Sequence, residues 1–180
     1  MSIIVFDTET TGLQKPSIIP LDQHPKIVEF AAIKLNSETL EEEGRFEFLC
    51  NPKCEIPQEV IRVHHITNEM VKNEKTFEEK SIELEEFFKD CEMVVAHNIS
   101  FDKYMIDTEY KRLGKEFNWP KKLVCTVNRT YSLLGYRLSM SKLYDYLFHE
   151  TFEGAHRAMV DIEALTKCFV KLVKEKIIEL

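Results

Sequence analysis

The first apolar run of the chain, IIVF at 3–6, stops at Asp7, Thr8 and Glu9. Residues 2–6 therefore read as a buried strand that ends in acids. KIVEFAAIKL (26–35) reads as a second strand. GRFEFLC (44–50), where Phe46 and Phe48 alternate with polar residues, reads as a third. The period then changes. TFEEKSIELEEFFKD, opened by Thr76, sets Phe77, Leu84, Phe87 and Phe88 along one helical stripe. MVVAHN (93–98) is a short buried strand with a polar end. Ser100 is expected to cap a helix carrying Phe101, Tyr104, Met105 and Leu113, with Gly114 as its stop. LVCT (123–126) is a fifth strand, and 127–134 and 139–148 read as helical. The last helix, about 157 to 178, has Ala158, Ile162, Leu165, Phe169 and Leu172 at helical spacing. Three strands followed by alternating helix and strand point to an α/β fold, with one mixed sheet and helices on its faces.

No repeat and no linker rich in Gly, Ser or Pro divides the chain, so its 180 residues are expected to form a single domain, 1–180. A hydrophobic share of 44% with 31% charged residues excludes disorder as the main state. No apolar run approaches the roughly 18 residues of a membrane span, and no signal peptide is evident. Five cysteines without paired spacing fit reduced thiols and a cytoplasmic location. Cys50 and Cys54 have no second pair that would complete a zinc pattern. The net charge of −7 argues against a protein that coats nucleic acid, but not against an enzyme that meets phosphates through bound cations. QKPSIIPLDQHP (14–25) is longer than most hairpin connections. It is expected either to lie over the end of the first strand or to be a surface insertion.

Side chains alternate along a strand, so Asp7 and Glu9 point the same way and need something to neutralise them. Asp102, in the first turn of its helix, is one candidate to join them, because the positive end of the dipole favours an ionised carboxylate there. Asp161 is another, preceded by His156 in "AHRAMVD". Five helical steps of about 100° would separate those two by roughly 140°. The spacing works if Asp161 sits in the first helical turn and His156 belongs to the loop before it.

The order D-x-E-T-T-G-L, A-H-N-x-x-F-D and H-x-x-x-x-D resembles the DEDDh branch of the DnaQ-like 3′→5′ exonucleases, a family that includes the proofreading subunit of bacterial replicative polymerases. The resemblance runs from residue 3 to about 170. It also takes in VHHIT (63–67), usually V-H-G-I-T, and Thr126 with Arg129. It implies a ribonuclease H-like fold, in agreement with five strands in a mixed sheet flanked by helices on both faces. It further implies two divalent cations, Mg²⁺ or Mn²⁺, held by Asp7, Glu9, Asp102 and Asp161. Four carboxylates suit such hard cations, which prefer oxygen ligands. His156 would take the proton from the attacking water. By the same resemblance Thr10, Thr11, Gly12 and Leu13 would meet the terminal nucleotide, with Leu13 as a wedge between the last two bases. Phe101 would stack on a base, and His64, His97 and Asn98 would line the nucleotide pocket.

The implied activity is release of nucleoside 5′-monophosphates from the 3′ ends of single-stranded or frayed DNA, in proofreading or repair, with a DNA polymerase subunit as a partner. An RNA-trimming activity is the alternative, and an inactive nucleic-acid- or polymerase-binding scaffold is the alternative of another class. Two departures from the family stand out. His65 replaces the usual glycine, at a position expected to have positive φ. The other departure is the longer 14–25 segment.

Overall fold

The computed structural model describes residues 1–154 and 156–180, the side chains of Ser132 and Leu134 excepted. Strands β1 (Ser2–Thr10), β2 (Ile27–Asn36) and β3 (Glu42–Leu49) form an antiparallel meander. β4 (Cys91–Ala96) and β5 (Lys122–Cys125) then add in parallel on the other side of β1, so the sheet order is β3-β2-β1-β4-β5. The helices are α1 (Gln58–His64), α2 (Asn68–Val71), α3 (Phe77–Phe87), α4 (Ile99–Arg112), α5 (Thr126–Leu134), α6 (Met140–Phe148) and α7 (Ala158–Lys174). Among the described residues, no helix is long and apolar enough to cross a membrane.

The two-residue period of β1 divides the core. Ile3 and Val5 pack with Leu143 and Leu147 of α6 and with Ile162, Leu165 and Phe169 of α7 on one face. Ile4 and Phe6 pack with Phe77 and Leu84 of α3 and Met105, Ile106 and Tyr110 of α4 on the other. Both faces of the central strand are therefore covered, which is why its sequence is continuously apolar.

β1 runs beyond its parallel neighbour. Pairing with β4 ends at Val5 opposite Val95, whereas pairing with β2 continues to Thr10 opposite Ile27. The last residues of β1 thus have one free edge, at the carboxyl end of the parallel strands, where ligands bind in open α/β sheets. The expected first strand ended too early, at residue 6, because the acids that follow look like a terminus. Here they belong to the strand.

Other elements also differ from the sequence-based reading. Helices α1 and α2 were not anticipated, since seven and four residues are too short to show a helical period. Ser100 is not the cap of α4. Asn98 holds that position in a left-handed conformation, φ 75°, and the Ser100 hydroxyl donates to its side-chain oxygen at 3.3 Å. At Thr76 and Ser139 the side-chain caps form. The last helix ends at Lys174 rather than near 178.

The 14–25 segment is bound along α4. Tyr104 hydrogen-bonds to His24 and to the backbone of Lys15, and Nη2 of Arg112 donates to the carbonyls of Leu21, His24 and Pro25 at 3.2, 2.8 and 3.1 Å. Glu109 in turn accepts from the Ile27 amide at 3.0 Å and pairs with Arg112, so the start of β2 is fixed by the same helix.

His65 ends α1 with φ 61° and ψ 13°, the left-handed conformation that a glycine adopts without strain. Relief of that strain exceeds the entropy that a glycine adds to the unfolded chain, so His65→Gly should stabilise the protein by about 1 kcal/mol. For a chain of this size that is a rise of roughly 2–4 °C in melting temperature. A thermal scan checks it; a lower melting temperature would mean that the imidazole makes a stabilising contact.

Candidate active site

Asp7 and Glu9 leave β1 on the α7 face of the sheet, beyond the last pairing with β4. Asp102, buried in the first turn of α4, comes from the other face. Its Oδ1 accepts from the Thr8 amide at 3.1 Å and the Thr8 hydroxyl at 2.8 Å. The carboxylate therefore takes the hydrogen bond that β4 would have made had it been longer. Asp161 lies in the first turn of α7. Its Oδ2 accepts from the His156 amide at 2.8 Å, which fixes the loop carrying His156 to the helix carrying the acid.

Asp7, Glu9, Asp102, Asp161 and His156 line one cavity of about 400 Å³, together with His97, Asn98 and Phe101. Glu9, His156 and Asp161 each offer a ligand atom within 4.8 Å of the other two. The remaining walls, Ser139, Met140 and Ser141 at the start of α6 and Leu165 of α7, were not anticipated. They carry no chemistry that a motif would reveal.

Electrostatics confirm that the acids crowd one another. Burial, and then the charges of Asp102, Glu9, Asp161 and Glu29, raise Asp7 well above the ordinary aspartate range. Glu9 is pushed up to about 8 by burial and by Asp161, Glu29 and Asp102, against the opposing effect of Arg157. Burial lifts Asp102 to about 7 despite the bonds from Thr8. Asp161 is raised by burial, which the His156 amide partly offsets. Converging oxygen donors that resist ionisation on their own are the donor set of a hard divalent cation. The residues present fit such ions.

Other expected residues are placed differently. His97 is held on both sides: Nδ1 faces the Thr126 hydroxyl at 2.9 Å and Nε2 the Leu138 carbonyl at 3.0 Å. Burial lowers its pKa, so it presents a neutral, fixed ring to the cavity. The Asn98 side chain accepts from Arg137 at 2.9 Å. Thr10, Thr11, Gly12 and Leu13 do not line the cavity; Thr10 is the last residue of β1 and the other three continue into the turn beyond it. The Thr10 hydroxyl donates to the Gly12 carbonyl at 2.7 Å, and Thr11 exchanges bonds with Lys26 at 2.8 and 2.9 Å. Leu13 is 79% exposed and so is not a core residue. His64 is buried beside Thr10 outside the cavity. Its Nδ1 accepts from the Ile66 amide at 3.0 Å, and burial lowers its pKa.

Glu29 was missed. It sits directly opposite Glu9 in the β1–β2 register and is buried. Its carboxylate receives Nε and Nη2 of Arg157, with Nη2 at 2.7 Å, and the Ala158 amide at 2.9 Å. It thus caps the start of α7 and anchors the residue next to His156. An acid in the middle of a buried strand, as in KIVEFAAIKL, is the signal that could have found it.

The RNase_T exonuclease family model matches residues 4–169. The chain is 35% identical over 178 residues to PolC-type DNA polymerase III of Staphylococcus epidermidis and equally to that of Staphylococcus aureus. The match covers 96% of this chain and 11% of each relative, so the chain spans about a ninth of their length. Among solved structures it is similar to exonuclease X in complex with 5′ overhanging duplex DNA, with TM-score 0.69 and 23% identity, over 96% of this chain and 92% of that one. The nuclease domain of 3′hExo, a DEDDh family member bound to rAMP, gives TM-score 0.77 at 15% identity, over 97% and 92%. An E. coli ExoI–ssDNA complex gives 0.78 at 18%, over 97% of this chain and 41% of that one.

The raised pKa values fix the sign of a stability effect. Without cations, Glu9 and Asp102 bind protons more tightly folded than unfolded. The stability that they contribute is complete below their unfolded values, 4.5 and 3.8, and is lost as pH rises through about 8 and about 7. In EDTA the melting temperature should therefore fall between pH 5 and 8. Saturating Mn²⁺ should reverse that trend, since the metal requires ionised ligands. At one hundred times Kd the ion contributes about 2.7 kcal/mol, or roughly 5–11 °C. Metal-free Asp7→Asn should melt above metal-free wild type and respond less to Mn²⁺. Equal metal shifts in the two proteins would place the ions elsewhere.

Loss of the charged bonds at Glu29 should cost about 1.5–3 kcal/mol. Glu29→Gln should accordingly lower the melting temperature and weaken Mn²⁺ binding, as read by calorimetry. Unchanged Mn²⁺ affinity would show that α7 keeps Asp161 in place without it.

Proposed function

The chain belongs to the exonuclease family that its residues 4–169 match, as a DnaQ-like 3′→5′ exonuclease, and from that membership we propose that it removes nucleoside 5′-monophosphates from the 3′ ends of single-stranded or frayed DNA. The observation that carries this reading is the convergence of Asp7, Glu9, Asp102 and Asp161 on one cavity with His156 at its edge. PolC-type DNA polymerase III as a relative supports a role in proofreading or repair beside a polymerase.

Asp7, Glu9, Asp102 and Asp161 would hold two divalent cations, Mg²⁺ or Mn²⁺. Bound there, such ions acidify a water and neutralise charge on the phosphate and on the departing 3′ oxygen. The protein's own residues do the rest. His156 is exposed on a loop whose backbone is tied to Asp161, so its ring can reach a water while its anchor stays fixed. It would accept the proton of the attacking water. Leu13, on a turn fixed through Thr11 to Lys26, the residue before β2, would separate the terminal base from the next. Phe101, packed against the α4 side of the core while lining the cavity, would support the terminal base. Thr10, Gly12 and His64 would shape the approach, with His97 and Asn98 closing the nucleotide pocket.

The test uses matched DNA and RNA oligomers, labelled at either end, with Mg²⁺ or Mn²⁺. DNA should be shortened from its 3′ end; faster loss from RNA would assign the site to RNA trimming. Asp7→Ala should abolish hydrolysis in a protein that circular dichroism shows to be folded. His156→Ala should lose roughly 10²–10⁴ in rate while retaining Mn²⁺. Near-wild-type turnover by folded Asp7→Ala would defeat the two-cation assignment.

A further inference from the structure

A second cleft lies along the Thr11–Leu13 turn that follows β1. It has a volume of about 350 Å³ and is walled by that turn, by the 14–25 segment and by Lys53. Three lysines line it, Lys15, Lys26 and Lys53, against one acid, Asp22. Two other clefts are as basic, one lined by Lys121, Lys122, Arg129 and Lys176 and one by Lys167, Lys171 and Lys174, but this one adjoins the turn that follows the strand carrying Asp7 and Glu9. Six of the 18 lysines, Lys72, Lys75, Lys80, Lys89, Lys103 and Lys171, each have a carboxylate within 4.0 Å. Among the described residues, the three cleft lysines have none.

The wall is built rather than loose. Lys15 Nζ donates to the Gln23 carbonyl and Lys26 Nζ to the Pro52 carbonyl, both at 2.6 Å, which leaves each ammonium with further donors. Tyr104 and Arg112 bind the segment to α4, the helix that carries Phe101 and Asp102. An apolar side chain accompanies the charges: Leu13, which lines the same cleft, is 79% exposed. Paired ammonium and apolar surface is what a single strand needs, with phosphates on one side and base faces on the other.

We infer that this cleft binds the phosphodiester backbone of the single strand upstream of the nucleotide being removed, with Lys15, Lys26 and Lys53 as the phosphate contacts. The inference rests on the 3′→5′ DNA-degrading reading above. The 14–25 segment is then a strand-binding wall, which makes substrate length, rather than the chemical step, its concern.

The probes are fluorescent dT8 and the dinucleotide dT-dT, whose one phosphate is the scissile one. Lys15→Gln/Lys53→Gln should weaken binding of dT8 in EDTA, measured by anisotropy at low salt, by about tenfold. The slope of log K against log salt should become shallower by about 0.7 per lysine. Turnover of the dinucleotide should not change. Lys53→Gln alone, at an ammonium that bonds to no described residue, guards against loosening of the segment and should give part of the effect. Equal dT8 affinity in wild type and variants overturns the inference, as does an equal loss on the dinucleotide. Wild type that hydrolyses neither probe overturns the DNA-degrading reading instead, and the binding comparison still decides the cleft.

Discussion

The burial of mutually repelling acids governs this structure. Four carboxylates, with a fifth at Glu29 behind them, are gathered where burial, joined at Asp7 and Glu9 by the neighbouring charges, pushes Glu9 up to about 8 and Asp102 up to about 7. Solvent would separate such groups in an open chain. The folded protein keeps them together because each is attached to an element whose position is set by apolar packing elsewhere. The repulsion is thereby stored, and a cation bound there would relieve it.

The packing that imposes this arrangement is spread over both faces of β1. Ile3 and Val5 fix α7 on one side, and Ile4 and Phe6 fix α4 on the other. Asp161 and Asp102 project from the first turns of those two helices. The meeting point lies beyond Val5, where β1 has outrun β4. Two local devices sharpen the result. Asp102 completes the unpaired edge of β1 through Thr8, and Glu29 anchors the start of α7 through Arg157 and Ala158. Both use a carboxylate to satisfy backbone amides that would otherwise be buried without partners.

On the proposed reading the two clefts would divide the labour of a polymer-degrading site. The one that collects acids would take the reacting phosphate through cations. The one that collects ammonium groups, along the Thr11–Leu13 turn, would meet phosphates directly. The turn between them in sequence is fixed by its own bonds, Thr10 to Gly12 and Thr11 to Lys26.

Much of this was legible in the sequence. The number and order of strands follow from local periodicity, since burial on one or both faces leaves a mark within a few residues. Asp7 and Glu9 stood out because acids that interrupt a buried run are costly, whereas Asp102, Asp161 and His156 were weak signals singly and were picked out by the motif order that resembles the DEDDh exonucleases; the fold brings all five to one cavity. Asn98 in place of Ser100 as the cap of α4, and the short helices before Phe77, were not, because left-handed residues and single turns carry no period. Glu29 escaped because a single acid in a strand gives no partner until the register sets it opposite Glu9. The lysine cleft brings together residues 15, 26 and 53, which share no motif. Sequence by itself determined which side chains carry charge and which faces they occupy. Only the tertiary structure decided which of them meet, because convergence depends on where β4 stops and on which amides are left for a carboxylate to satisfy.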